Sequence, residues 1–391
     1  MALAESDIAP PNPDRYTLDG NDSVEDRIAR DQLLVADAVQ RILAPPAFRA
    51  LVLMGGYGRG EGGYVERDGV PAPYNDYDYF VVVRGLDRSK RRALQQALAE
   101  AARELEHDVG VEVDFALLRE ERLPAAEYSL MNAEMLWGHR VVAGASDVLD
   151  AMPSMPFAGL PLGEFTRLLL NRGALLLMNQ QRLMEASPVG AEEQEVFFKY
   201  LFKAVLACGD ARLAGNRSYL PSYVEKLDLL RSMDWQDKDD LMGLYVQAWE
   251  NKFHPDYRCY AEEDPAIWQK QVVGLWLATL SWLEEIRTGS VIADWDSYCS
   301  PSIPKGQGRH SWAGFRNIAI TARDFGFAEV LRRPRWSMRY PRERLISALP
   351  LLLSGPFAGL CPAAAEALSL TPGTPWPKAT ETFLRVWRRC A

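Results

Sequence analysis

LVLMGGYGRGEGG, residues 51–63, followed after a loop by NDYDYFVVV, residues 75–83, is the stretch on which the fold turns. Residues 48–54 form a short apolar run of the kind that makes a buried strand. The run stops at once in a nine-residue turn, GGYGRGEGG, of which six residues are Gly. Glycines after a strand let the backbone take positive φ and approach a ligand closely. Successive backbone N–H groups in such a turn can cradle phosphate oxygens. Arg59 supplies a cation in the same turn. Taken alone, a tight turn with no ligand reads equally well. The spacing is neither a Walker A loop, because no GK[ST] follows, nor a dinucleotide fingerprint.

The carboxylates sharpen this. Asp76 and Asp78 flank Tyr77 at the start of a second apolar strand, so period 2 puts both side chains on one face. Two neighbouring carboxylates repel unless a cation sits between them, and a hard divalent ion such as Mg²⁺ suits oxygen ligands. An isolated DxD also reads as a solvated strand start. A third strand is expected over residues 109–118, where Val109, Val111, Val113 and Phe115 alternate with Gly110, Glu112 and Asp114. Asp114 lies on its polar face. A glycine turn on the first strand, a DxD on the second and a lone Asp on the third form an ordered set. Three acids converging on the turn would hold two metal ions about 4 Å apart.

At this point the residues resemble a known family. LVLMGGYGRGEGG…NDYDYFVVV is similar to the nucleotidyltransferase domain of the polymerase-beta superfamily. In motif it is nearest to the catalytic head of PII-protein uridylyltransferases. Residues 107–113 (HDVGVEV) look like that group's third-strand segment, and residues 128–138 (YSLMNAEMLWG) look like the helix after it. The resemblance covers about residues 50–145. It implies that Gly55, Gly56, Arg59 and Gly60 hold nucleotide phosphates, that Asp76 and Asp78 bind metal, and that Asp114 is the third acid, helping to deprotonate the acceptor hydroxyl. It also implies two Mg²⁺ ions and an NTP co-substrate, ATP by preference. The loop over residues 64–75 is longer than in that group, and the paired regulatory domains and HD-type hydrolase motif of the full-length PII enzymes are missing. The similarity is to the head only.

Outward from this stretch, residues 1–20 read as a flexible leader. Asp22 or Ser23 can cap a helix to about Leu43, and Asp87 or Ser89 caps another through about Glu106. The head is expected over residues 21–150. Beyond it strand signals fade, and helices are expected over residues 164–184, 192–214, 223–230, 237–251 and 266–287. The fold class is therefore α+β: a small mixed-sheet head, then a mainly helical domain over residues 151–391 that closes over the nucleotide and binds the acceptor. Lys199 and Lys203 sit one turn apart on one helix face, where both could reach a triphosphate; Lys203 is the preferred contact. Tyr219 and Tyr223 could stack on a base or simply be core. The basic run over residues 332–344 reads first as a proline-broken linker, and as an anion contact second.

The chain has 391 residues, 48% hydrophobic and 25% charged, with a net charge of −9. That is ordinary globular composition, and the acidic balance disfavours a long nucleic acid as acceptor. Five scattered cysteines and four scattered histidines, His310 among them, suggest neither a disulfide framework nor a zinc site. The N-terminal residues have no basic segment followed by an apolar run, and the apolar stretch at residues 345–361 is broken by Pro and Gly. A cytoplasmic protein with no membrane partner is expected. The functional expectation is an Mg²⁺-dependent nucleotidyltransferase that moves an NMP group from an NTP to a hydroxyl of a small molecule or a protein. The alternative is a non-catalytic nucleotide-binding regulatory module, or a toxin–antitoxin component, that keeps the same fold.

Overall fold

The computed structural model describes residues 14–67, 69–185, 190–235, 238–303, 305, 313–355 and 359–390. Most of the expected leader, and the expected helix start at Asp237, lie outside the described residues, as do His310 and residues 356–358 of the late apolar stretch. The architecture is mixed α/β and mostly helical, with one small mixed sheet. Two compact units are present. The first comprises Met1–Leu160 with Tyr219–Asp228 and Trp249–Asp256; the second comprises Pro161–Ser218, Leu229–Ala248 and Tyr257–Ala391. The first unit thus takes in two stretches from the region that the sequence assigns to the helical domain.

In the first unit the order is α1 (Asp22–Ile42), β1 (Phe48–Leu53), α2 (Gly55–Gly58), β2 (Tyr64–Arg67), β3 (Val70–Pro73), β4 (Tyr77–Val83), α3 (Arg88–Val109), β5 (Val113–Arg119), α4 (Leu130–Trp137) and β6 (Arg140–Gly144). Caps fix the helix starts. Asn21, rather than Asp22 or Ser23, accepts from the Val24 N–H, and Asp87 accepts from the Lys90 N–H. The sheet runs β5-β4-β1-β6, with β4 and β5 parallel and β1 antiparallel to both neighbours.

The period of 2 then divides the sheet. Leu51, Leu53, Tyr77, Tyr79, Val81 and Val83 face a core completed by Val24, Ile28, Val35 and Val39 of α1 and Leu94, Leu98 and Leu105 of α3. Residues of the other parity, Asp76, Asp78 and Asp114 included, belong to the opposite face. Burying this many aliphatic side chains, at about 1.5–3 kcal/mol each, holds the sheet as a rigid platform for those acids.

Two expectations need correcting. Residues 107–112 are not strand: α3 runs to Val109, and Gly110 at φ +80° ends it with its N–H on the Glu106 carbonyl. The valine alternation there belongs partly to a helix end, where a left-handed glycine closes the last turn. The expected loop over residues 64–75 is a two-stranded hairpin, β2 paired with β3 in the register Tyr64↔Pro73 to Arg67↔Val70. Pro71 and Pro73 take alternate positions of β3, opposite Glu66 and Tyr64, as an edge hairpin allows.

The second unit has helices and no strand among its described residues. Its long helices are α5 (Leu162–Glu185), α6 (Ala191–Gly215) and α9 (Pro265–Thr288), with α7 (Tyr223–Ser232) and α8 (Lys238–Phe253) divided between the units. Short helices α10 (Trp295–Tyr298), α11 (Ala313–Phe325), α12 (Phe327–Arg332) and α13 (Pro334–Ser337) precede α14 (Pro341–Ser354), α15 (Pro362–Leu368) and α16 (Trp376–Cys390). The basic run is therefore no linker. It folds into α12 to α14, and Arg344 is fully buried, donating to the Ala367 carbonyl at 2.7 Å and to Glu329 at 3.1 Å. No described helix is long and apolar enough to cross a membrane.

Candidate active site

β1 and β4 are antiparallel, so the C-terminal end of β1 meets the N-terminal end of β4. The glycine turn therefore leaves β1 beside Asp78. The Met54 N–H donates to the Asp78 carbonyl oxygen at 2.8 Å. Gly55 has φ +67°, and a Cβ built on it would lie 3.2 Å from Asp78 Oδ2. Glycine here serves both needs: a left-handed backbone and room beside a carboxylate.

The parallel pairing of β4 with β5 places Asp78 directly opposite Asp114, in register from Tyr77↔Val113 to Val83↔Arg119. Paired residues on neighbouring strands sit about 5 Å apart, so the two acids are close neighbours on one face. Both are exposed, while Tyr77 and Val113 beside them are buried. Asp76 is half-buried, two residues before Asp78 and immediately before the strand. The Tyr77 N–H reaches the Glu112 carbonyl at 2.8 Å, so the starts of β4 and β5 are joined just where the acids stand.

Among the described residues, no three His, Cys, Asp or Glu side chains gather tightly enough to hold a metal ion by themselves. The expected convergence of three acids is thus a pair in register, Asp78 and Asp114, with Asp76 alongside in sequence. Mg²⁺ is usually bound through one or two carboxylates, with substrate phosphates and water as its other ligands, so a complete protein cage is not required. An all-oxygen donor set beside a glycine that leaves space next to Asp78 fits such an ion.

The rest of the turn folds back on itself. The Glu61 N–H donates to the Gly56 carbonyl at 2.7 Å, and the Gly60 N–H points to the Tyr57 carbonyl at 3.5 Å. Arg59, expected at the phosphates, is 6% exposed, with Nε 3.1 Å from Glu61 and Nη1 3.9 Å from Glu134. Burial works against its charge, but Glu134 and Glu61 outweigh it and hold the guanidinium above its ordinary value. Glu61 also accepts from Ser222 Oγ at 2.5 Å and from the Tyr223 N–H at 3.2 Å. Buried acid and base answer one another and tie the turn to the Tyr219–Asp228 stretch of the same unit.

That stretch carries residues the sequence reading passed over. Lys226 is fully buried, its ammonium 3.2 Å from the Tyr219 hydroxyl and 4.1 Å from the Tyr223 ring centre. Lys252 lies 4.5 Å from the same ring centre, and the Arg59 guanidinium 5.5 Å from it. Three cations thus surround one half-buried tyrosine. Tyr219 is core: it is 3% exposed, and its hydroxyl bonds Glu134. The signal was present in NRSYLPSYVEK, where Lys226 follows the tyrosines, but the partner Lys252 is distant in sequence. Lys203, by contrast, is half-buried on α6 in the second unit. The aromatic residues around it on that helix pack inward, Phe198 stacking on Tyr260 at 4.6 Å.

No protein-family model matches the chain, and no curated protein matches it in sequence.

Proposed function

We propose that the first unit is a nucleotidyltransferase head of the polymerase-beta type. It would move an NMP group from an NTP, ATP by preference, to a hydroxyl of a small molecule or a protein. One observation carries this reading: the Asp78↔Asp114 register on parallel strands, with the glycine turn hydrogen-bonded to the backbone of Asp78. Two like charges side by side cost stability. Their placement is useful where a cationic ligand joins them.

In this reading Asp76, Asp78 and Asp114 would hold Mg²⁺, and Asp114 would also help to deprotonate the attacking hydroxyl. The bond from the acceptor oxygen to the α-phosphorus forms as the bond to pyrophosphate breaks. When bound, Mg²⁺ supplies charge neutralisation on the phosphates and activation of the acceptor hydroxyl. Backbone amides of Gly55 and Gly56 face the phosphates, with Gly60 shaping the turn behind them. Arg59 acts from inside the turn, stiffening it through Glu61. Lys252 and Lys226 add positive potential beside the turn. Lys203 remains an expectation from the sequence, and Lys203→Ala tests it by any rise in the KM for NTP.

The test is label transfer from each α-³²P NTP with Mg²⁺, with and without candidate acceptors, in wild type and in Asp76→Asn/Asp78→Asn. Transfer and pyrophosphate release in the wild type alone are expected. Binding without turnover under every condition would favour the non-catalytic nucleotide-binding module instead. Turnover that survives the double substitution would place the chemistry elsewhere.

A further inference from the structure

Tyr57 is the one aromatic side chain in the glycine turn, and its hydroxyl is used to capacity. It donates to the Gly63 carbonyl at 2.7 Å and accepts from the Tyr74 N–H at 2.9 Å and the Asn75 N–H at 3.1 Å. Asn75 returns the contact: its Oδ1 accepts from the Gly63 N–H at 2.7 Å. The ring is 1% exposed and packs edge-on against Tyr77 at 5.1 Å between centres. Gly62 leaves room for the ring, since a Cβ on it would stand 2.1 Å from Tyr57. A Cβ on Gly63 would stand 2.4 Å from the Lys252 carbonyl oxygen and 2.9 Å from Asn75 Oδ1.

Gly63 precedes β2, and Tyr74 and Asn75 follow β3. Beside the direct bond from the Tyr74 N–H to the Gly63 carbonyl at 3.2 Å, the hydroxyl therefore fastens the base of the hairpin to the turn. The next residue after Asn75 is Asp76. On the other side of Asp76, Tyr77 is held by its hydroxyl on Asp31 at 2.9 Å, and Asp31 is in turn bonded by Arg27 at 3.1 Å. Asp76 thus stands between two tyrosine anchors, one to the glycine turn and one to α1.

We infer that the Tyr57 hydroxyl is the positioning group of the acidic site, fixing Asp76 relative to the glycine turn so that carboxylate and phosphate meet one ion. This rests on the proposed function. Tyr57 touches neither substrate nor metal; it acts through Asn75 and the backbone of residues 74–76. Outer-shell partners of metal-binding carboxylates commonly change metal affinity by 10- to 100-fold.

The experiment uses the full chain, manganese(II) as the probe ion and adenosine 5′-(α,β-methylene)triphosphate as the unreactive nucleotide. Free Mn²⁺ is followed by electron paramagnetic resonance in wild type, Tyr57→Phe, Asn75→Ala and the double variant. The Tyr57→Phe substitution keeps the ring packing and removes only the hydroxyl. The half-saturating Mn²⁺ concentration is expected to rise about tenfold in each single variant, and by less than the product of the two in the double, because both act on Gly63. A purely structural role would lower the melting temperature and leave the Mn²⁺ titration unmoved; that result overturns the inference while the proposed function stands. If the wild type retains no Mn²⁺ with the nucleotide, the proposed function falls and the inference with it. Should Tyr57→Phe fail to fold, Asn75→Ala decides.

Discussion

Two regions of the molecule treat carboxylates in opposite ways. In the second unit Glu284 is fully buried. It accepts from Thr166 at 2.6 Å, from Tyr298 at 2.9 Å and from Arg287 at 2.6 and 2.5 Å. Every donor is internal, and the acid is part of the architecture. In the first unit Asp78 and Asp114 are exposed and set against each other by strand register. A buried charge must be answered by the fold, because leaving it unanswered costs several kcal/mol. An exposed pair of like charges costs little enough to persist, and in the proposed reading it gains a place for a cation. Glu284 completes a network that holds the protein together, whereas Asp78 and Asp114 face one another across paired strands.

The largest expected effect breaks the second half of that contrast. Asp78→Asn should lower nucleotidyl transfer by roughly a thousandfold. Stability should stay level or rise by up to about 0.5 kcal/mol as the repulsion from Asp114 is relieved. Label transfer and denaturant melts of the same samples check both signs. Glu284→Gln should do the reverse, destabilising by about 3 kcal/mol as Arg287 loses its buried counter-charge. A urea midpoint shift at constant slope is the readout. Gly55→Ala sits between the two. It forces a side chain into a left-handed backbone and against Asp78, so it should cost about 1–2 kcal/mol and also raise the Mg²⁺ requirement. A change in melting temperature with no change in Mg²⁺ dependence would detach Gly55 from the site.

A pH-dependent effect concerns Lys305, which is 1% exposed and donates to the Tyr298 and Ser300 carbonyls at 2.6 and 3.0 Å. Burial pulls its ammonium from the usual 10.5 down to about 8. Between pH 8 and 10.5 the unfolded chain therefore binds a proton that the folded one has released. Stability rises with pH through that window and lacks this contribution below it. Cys299, pushed up to about 12 by burial, works the other way above pH 9, so the lysine is isolated by difference. Over pH 8–10.5 the wild type should gain stability relative to Lys305→Met.

Much of the first unit was legible because its signals are local. The apolar run ending at Leu53, the three valines of β4 and the opposite parity of Val113 and Asp114 need only period 2 and a turn. The helix α4, capped by Ser129, was expected over residues 128–138 from the resemblance rather than from its own period. What was not legible depends on partners far away in the chain. Val109 looks like strand until Gly110 closes α3. Arg59 looks like a free cation in an open turn, yet Glu61 two residues on and Ser222 far downstream draw it inward. The hairpin over β2 and β3 was hidden by its prolines and glycine, and what fastens it is a tyrosine hydroxyl that no periodicity announces. Lys226 and Lys252 come together around Tyr223 only after two helices are divided between units.

We propose that the exposed acids at the glycine turn are joined by a divalent ion carrying a nucleotide. The most direct measurement is the melting temperature of wild type and Asp78→Asn as Mg²⁺ is raised at fixed unreactive ATP analogue. A ligand that binds only the folded state raises the midpoint with concentration, by about 2.7 kcal/mol of added stability at a hundred times its dissociation constant. The midpoint is expected to climb with Mg²⁺ and nucleotide together in the wild type and to stay flat in Asp78→Asn. An equal climb in both proteins, or none in the wild type, would contradict it.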